Sequence, residues 1–309
     1  MVRYLARRIG QSVLTIFLTV SAVFVLVRLA PGDPAAAYAG PTATSEDLAR
    51  VREQFGLDEP VLVQYGAFLR GLLGGDAGTS YSFHAPALDV VLGRVPYTMT
   101  LTVAAIGLTA LLAVPLGVWM ARRADTGREL GANILTIAGQ SMPDFWTGIM
   151  LVTVFAVLVP VLPASGFTTW AGLVMPAVTV AVLQLALISR LVRREMATAL
   201  AAPYVTVARS RGVPERALVW RYAMRNSAVP VVTALGTRFA ALLNGVVVVE
   251  VVFGWPGVGS LVARALETRD YPLIQATVLV TAALAVLVQL LIDLAYPLFD
   301  PRVRVGKAA

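Results

Sequence analysis

The sequence predicts an all-α membrane protein with six transmembrane helices, and three observations predict it. Apolar residues make up 58% of the 309-residue chain and charged residues only 14%, with a mean hydropathy of +0.76; soluble domains carry about a quarter charged residues. Six apolar stretches each reach the roughly 20 residues that a helix needs to cross the hydrocarbon layer. The basic residues then fall into alternate connections. The 25 lysines and arginines and the pI near 10.1 are therefore a topological signal rather than a nucleic-acid footprint.

The first span is read over Ile9–Ala30, behind Arg3, Arg7 and Arg8. MVRYLARR, an apolar run and then Ala35–Ala37 imitate a secretory signal peptide, but the run exceeds the usual apolar core of about 7–15 residues, so it is kept as a helix. The long connection 31–96 opens with PGDP, continues through a short helix at Ser45–Phe55 with Ser45 as its cap, and reads as a small extracytoplasmic cap. Further spans are expected at Tyr97–Ala121, Gly131–Val159 (with a kink at Pro143), Gly172–Leu191, Val231–Val252 and Leu273–Leu298. Arg122, Arg123 and Arg128 follow the second span, and seven arginines from Arg193 to Arg225 follow the fourth. These connections and both termini are assigned to the cytoplasm, because positive loops stay inside. After the fifth span, FGWPGVG (Phe253–Gly259) reads as a turn, and Ser260 as the cap of an amphipathic helix to about Glu267 on the outer membrane surface. The expected organisation is 1–30 (tail and first helix), 31–96 (cap), 97–298 (transmembrane core with an insert at 202–230) and 299–309 (cytoplasmic tail).

Ionisable groups inside a bilayer cost at least about 2.5–3.5 kcal/mol at mid-depth, so each needs a reason. Four stand out: Asp144 beside Pro143, Arg238, Glu250 and Asp293. On one ideal helix Arg238 and Glu250 lie about 18 Å apart along the axis and about 120° apart around it, so they cannot pair within it. Thr233, Thr237 and Asn244 form a polar stripe, which serves either a water-accessible path or helix–helix hydrogen bonding. Gln140 and Ser141, one turn before Asp144, join it as path candidates.

Catalytic chemistry is absent. No phosphate-binding loop occurs, since Gly306 and Lys307 lack the earlier glycine and the hydroxyl; there is no cysteine, the sole His84 falls in an extracytoplasmic loop and not in a Ser/His/Asp set, and one histidine cannot make an H-E-x-x-H zinc motif. Paired aspartates for intramembrane proteolysis are not at matched depth, with Asp144 mid-span and Asp293 near a cytoplasmic end. The chain is expected to be no enzyme and to bind no metal or nucleotide of its own. Three classes remain: a permease driven by partner ATPases, an ion-coupled carrier using Asp144 or Glu250, and an assembly scaffold. Against the carrier stands the lack of a second helix break matching Pro143.

The insert from Ala202 to Pro230 carries the most specific signal. It reads as a helix over Tyr204–Arg211, a break at Gly212, Pro214 at the first position of a second helix over Glu215–Arg225, and Pro230 opening the fifth span. This order resembles the cytoplasmic coupling loop of binding-protein-dependent ABC importer permeases of the dipeptide, oligopeptide and nickel branch, in which Y-V-x-x-A-R-x-x-G precedes R-N-x-x-x-P. Tyr204, Val205, Ala208, Arg209 and Gly212, then Arg225, Asn226 and Pro230, fill that pattern. RYLARR, PGDP, QYGAFLRGLLGGDAGTS, VVVVEVVFGWPGVG, RDYPL and DLAYPLFDPRVR extend the resemblance along nearly the whole chain. Thr206–Ala208 stand where the general importer motif has Glu-Ala-Ala. The resemblance implies a multi-pass protein of the bacterial or archaeal cytoplasmic membrane. It also implies a second homologous permease, two ATPases that hold ATP and Mg, an extracytoplasmic binding protein, and a peptide or similar small solute as cargo.

Overall fold

A computed structural model describes residues 2–29, 33–40 and 43–299, with the side chains of residues 2–6, 37 and 293–299 outside that description. Much of the PGDP turn and the tail beyond 299 thus lie outside the described residues. The chain is helical, in the order α1 (Val2–Leu29), α2 (Pro34–Ala39), α3 (Ser45–Phe55), α4 (Val61–Leu73), α5 (Ala87–Leu92), α6 (Val95–Ala121), α7 (Gly127–Ser141), α8 (Asp144–Val152), α9 (Val174–Leu200), α10 (Pro203–Ser210), α11 (Glu215–Ala217), α12 (Met224–Gly245), α13 (Val247–Val252), α14 (Val258–Glu267) and α15 (Tyr271–Phe299). No strand forms among the described residues beyond one isolated bridge, Thr79 to Pro86.

Five helical stretches are long and apolar enough to cross a membrane: Arg7–Leu29, Ala87–Ala121, Trp170–Leu200, Glu215–Gly245 and Tyr271–Ile292. The expected third span is instead two helices, Gly127–Ser141 and Asp144–Leu158, bent by 95° at the break, so there are six spans only if this pair counts as one. Pro143 causes the break. It has no N–H to continue the ladder and forces the residue before it out of the helical region, and Met142 accordingly sits at φ −81°, ψ 131°. The fifth span also departs from expectation: Pro230 lies inside α12 instead of opening it, and the helix stops at Gly245, with α13 restarting after Val246. Packing overrides the proline here. Val219, Ala223 and Val231 are buried with Ile188, Val192 and Met196 of α9 in one cluster.

The chain divides into two compact units, 1–98 with 256–286 and 99–255 with 287–309. In the first, α4 runs along α1: the buried Phe24 ring contacts Tyr65 and Phe68 at 5.0 and 5.2 Å, and Ser21 shares a 2.6 Å hydrogen bond with the Tyr65 hydroxyl. Helix α3 has the expected extent but a different cap. Thr44 accepts from the Asp47 N–H and Asp47 accepts from the Thr44 N–H, a reciprocal box that places Ser45 inside the helix. The helix α14 likewise begins earlier than expected; its Val258 N–H donates to Thr98 Oγ1 at 2.8 Å, and Ser260 donates back to the Gly257 carbonyl. Its apolar face is packed against protein: Val258, Leu261 and Ala265 join a core with Val27, Val91, Leu273 and Ala276, and Leu266 stays exposed. At the centre of this unit Asp270 is fully buried, accepting from Ser80 Oγ at 2.6 Å, from the Ser82 N–H at 2.9 Å and from the Leu273 N–H at 3.2 Å.

In the second unit α9 is the post against which α7, α8 and α12 pack. Gly117 of α6 comes close against it: a Cβ there would stand 2.5 Å from the Ser189 carbonyl oxygen and 2.6 Å from Val192 Cβ. Such small-residue crossings let helix backbones meet in a membrane. The uncharged loop after α8 is largely exposed but pinned at two points: the Gly166 N–H donates to the Phe253 carbonyl at 2.8 Å, and the Phe167 ring lies 4.6 Å from the fully buried Trp255.

Two outcomes follow. Gly117→Ala forces backbone apart and is expected to destabilise by about 1–3 kcal/mol. Gly107→Ala on the same helix, with open space at its Cβ, is expected to be neutral or stabilising by up to about 1 kcal/mol. Detergent-denaturation midpoints of the two variants check this. Burial, then the neighbouring Asp270 charge, pushes the Tyr81 hydroxyl up to about 12 from 10.0. Its contribution is complete below pH 10 and is lost as pH rises from 10 through about 12, because only the unfolded chain ionises there. Tyr81→Phe should flatten the unfolding-midpoint profile across that window, and an unchanged profile would contradict the assignment.

Candidate functional site

The insert after α9 folds into a compact structure of its own. Ala201 and Ala202 end α9, Pro203 occupies the first position of α10, and Val205 and Ala208 turn inward on Leu218. Gly212 ends the first arm at φ +81°, a left-handed conformation that glycine adopts without strain. Its N–H donates to the Arg209 carbonyl at 3.0 Å, and the Val213 N–H to the Ala208 carbonyl at 3.2 Å. The second arm starts one residue later than expected, since Pro214 is the cap and Glu215 the first helical residue. It passes through a π-wound turn, Leu218–Ala223, straight into α12, so the insert has no separate second helix.

Most of the motif residues hold this shape. Arg209 Nε donates to Glu215 Oε1 at 2.8 Å across the turn, and Asn226 Nδ2 donates to the Tyr204 hydroxyl at 2.6 Å, tying α10 to the base of α12. Val205 and Ala208 are core, and Gly212 is the turn. Arg225 is exposed, and Pro230 belongs to the α12 interior. What the insert presents outward is Val207, Trp220 and Tyr222 among Arg211, Arg216 and Arg221, all exposed.

The expected path residues do not form one cluster. Gln140 Oε1 accepts from Arg190 Nη2 at 2.7 Å, and the Ser141 hydroxyl donates to the Ile137 carbonyl of its own helix. Asp144 is the first residue of α8, on the far side of the 95° break. Thr233 and Thr237 donate to the carbonyls of Val229 and Thr233 one turn back, while Thr237, Arg238 and Asn244 are exposed along α12. Glu250 is fully buried in α13, so the single ideal helix assumed for Arg238 and Glu250 does not exist. The side chain of Asp293 lies outside the described residues. No group of three or more metal-ligating side chains occurs among the described residues.

Sequence reading missed four polar anchors. Arg190 holds Gln140, and Arg193 Nε lies 2.7 Å from Glu129 Oε1, an ion pair by distance although the N–H is not aimed along it. Arg28 and the buried Asp270 are the others. Arg28 and Arg190 were each the only charge within an expected span, which was the available signal; Asp270 stood out only as part of the RDYPL string, and its partner Ser80 lies 190 residues away.

The comparisons with known proteins agree along the whole chain. Residues 113–305 match the model described as binding-protein-dependent transport system inner membrane component, and residues 1–102 match the N-terminal model of the same system. A probable peptide ABC transporter permease of Sinorhizobium fredii is 36% identical over 309 residues, covering 97% of this chain and 99% of that protein. A glutathione transport system permease of Salmonella paratyphi A is 35% identical over 308 residues, covering 98% and 99%. Among solved structures, the inward-facing MetNI methionine ABC transporter aligns with a TM-score of 0.58 at 15% identity, covering 68% of this chain and 96% of that one.

Since a Cβ at Gly212 meets open space, substitution there acts through the backbone alone. Gly212→Ala is expected to cost about 1–2 kcal/mol of left-handed strain. Gly212→Pro, which also lacks the N–H, should open the turn. Hydrogen exchange of residues 203–218 should quicken in that order while α9 stays protected; equal protection in all three proteins would refute the turn's role.

Proposed function

Because this chain belongs to the family of binding-protein-dependent transport system inner membrane components, we propose that it forms half of the path of an ATP-driven importer of peptides or similar small solutes. It is a multi-pass inner-membrane permease and not itself an ATPase; in this family hydrolysis falls to separate ATPase subunits. The family and the full-length relatives favour this reading over the ion-coupled carrier and the scaffold.

The observation that carries the finer reading is the insert at 202–230. Tyr204 bonds to Asn226 and Arg209 to Glu215, while Val207, Trp220, Tyr222 and three arginines are exposed. In our reading this is the surface that two partner ATPases engage from the cytoplasm, with ATP and Mg bound on them. Both termini are then cytoplasmic, the bent α7–α8 pair is the third of six spans, 31–96 forms an extracytoplasmic cap facing the binding protein, and 97–298 is the permease core. A second homologous permease completes the path, to which Gln140, Ser141, Asp144, Thr233, Thr237 and Asn244 contribute, while Arg238, Glu250 and Asp293 act as structural or gating charges. Peptide as cargo is supported by the names of the relatives, among them peptide and glutathione permeases.

Energy reaches the path only through a difference in partner affinity between the inward- and outward-open states. Proteoliposomes holding this chain with its partner permease, ATPases and binding protein should accumulate peptide only with ATP. Gly212→Pro should insert at wild-type level yet lose at least about tenfold in uptake rate, equivalent to 1.4 kcal/mol or more of coupling. Uptake driven by a proton gradient without nucleotide, or unaffected by Gly212→Pro, would refute it.

A further inference from the structure

The first unit contains a cavity of about 670 Å³ between α1, the 54–64 turn, the 71–81 turn and the start of α15, large enough for a small organic ligand. Its wall includes Arg28, which forms no ion pair with a carboxylate among the described residues. Arg28 Nε donates to Gln64 Oε1 at 3.0 Å and its guanidinium stacks 3.5 Å over the Phe24 ring, but Nη1 is buried without an acceptor among the described residues. Gln275, 7% exposed and in the same wall, has a buried Nε2 without an acceptor. A half-buried guanidinium with no ion pair among the described residues carries a desolvation cost that a bound oxyanion would offset.

The opposite charge is supplied nearby. Gln64 takes Arg28 on its oxygen and donates from its nitrogen to the carbonyls of Leu57 and Glu59, so one amide bridges the cation to the 57–59 turn. Asp58 and Glu59 on that turn line the cavity, are exposed and have no ion pair among the described residues. The cavity's other carboxylates are engaged, Asp33 with Arg52 and Asp76 with the Gly78 N–H. One wall therefore offers donors without an acceptor and the rim offers free carboxylates.

We propose that this cavity is a binding site for a small zwitterion, an amino acid or short peptide, whose carboxylate meets Arg28 and Gln275 and whose ammonium group meets Asp58 and Glu59. The peptide member of that class rests on the cargo reading above; the carboxylate site does not. Lipid phosphate offers Arg28 similar chemistry, so the test separates the two sources.

The full chain in phosphatidylcholine nanodiscs is titrated with alanine, trialanine and trialanine amide by isothermal calorimetry. Alanine and trialanine should bind, and the amide at least tenfold more weakly. Arg28→Gln should weaken trialanine by at least tenfold while leaving the amide unchanged, and Arg28→Lys should restore part of the loss. Glu59→Gln, an exposed change that leaves the core intact, should weaken trialanine two- to fivefold but leave N-acetyl-trialanine unaffected, which keeps the proposal testable if Arg28→Gln misfolds. No binding of either free carboxylate, equal binding of trialanine and its amide, or displacement of trialanine by phosphatidylglycerol in the nanodisc would overturn it. Binding needs neither ATPase nor binding protein, so failed uptake in the complex leaves this result standing, and binding of alanine alone would sink peptide as cargo while keeping the site.

Discussion

Hydrocarbon offers a peptide group no hydrogen-bond partner, and this requirement governs the rest of the structure. Helices satisfy it within themselves, which is why the described chain is helical almost throughout. The more informative places are those where helical bonding stops. At Met142–Pro143, at Val246 and along Phe253–Gly257 the ladder is interrupted, and near each the chain has other company. Thr147 Oγ1 returns a hydrogen bond to the Pro143 carbonyl, the Val246 N–H still reaches Leu242, and the Phe253 carbonyl accepts the Gly166 N–H. The Phe253 ring also closes on Gly148, where a Cβ would stand 3.1 Å from it, so one break is braced against the helix that follows another.

The family and the helical architecture were legible in the sequence because they rest on local signals: apolar length, arginine placement and the spacing around Gly212. The positions that were misread depend on partners far away in the chain. Ser260 resembled a cap, but the helix starts after Gly257, and its first N–H is met by Thr98, 160 residues earlier. Pro230 resembled a helix start, but burial of Val219, Ala223 and Val231 against α9 holds the helix through it. The amphipathic α14 pattern was correctly periodic, yet periodicity does not say whether the apolar face meets lipid or protein. Here it meets protein.

In the insert, a motif recognised by its spelling is largely a set of internal fasteners. Tyr204 with Asn226, Arg209 with Glu215, and Val205 with Ala208 and Leu218 fix the fold, and Gly212 supplies the reversal. The outward face combines residues between the motif positions, Val207, Trp220 and Tyr222, with the exposed motif residue Arg225. The fasteners and the exposed Val207, Trp220 and Tyr222 are different side chains, so the exposed set can vary while the insert stays folded.

The continuity of Glu215–Gly245 has a mechanical consequence. Its 31 helical residues span about 46 Å at the usual rise. The stretch joins the insert to the exposed Thr237 and Asn244 without a hinge loop. A rod of that length behaves as a lever: a tilt of about 5° about its midpoint carries the two ends about 2 Å in opposite directions, given that helical rise. A push on one end therefore arrives at the other reversed in sense and undiminished in size, and Pro230, placed in the middle stretch, sits close to the fulcrum.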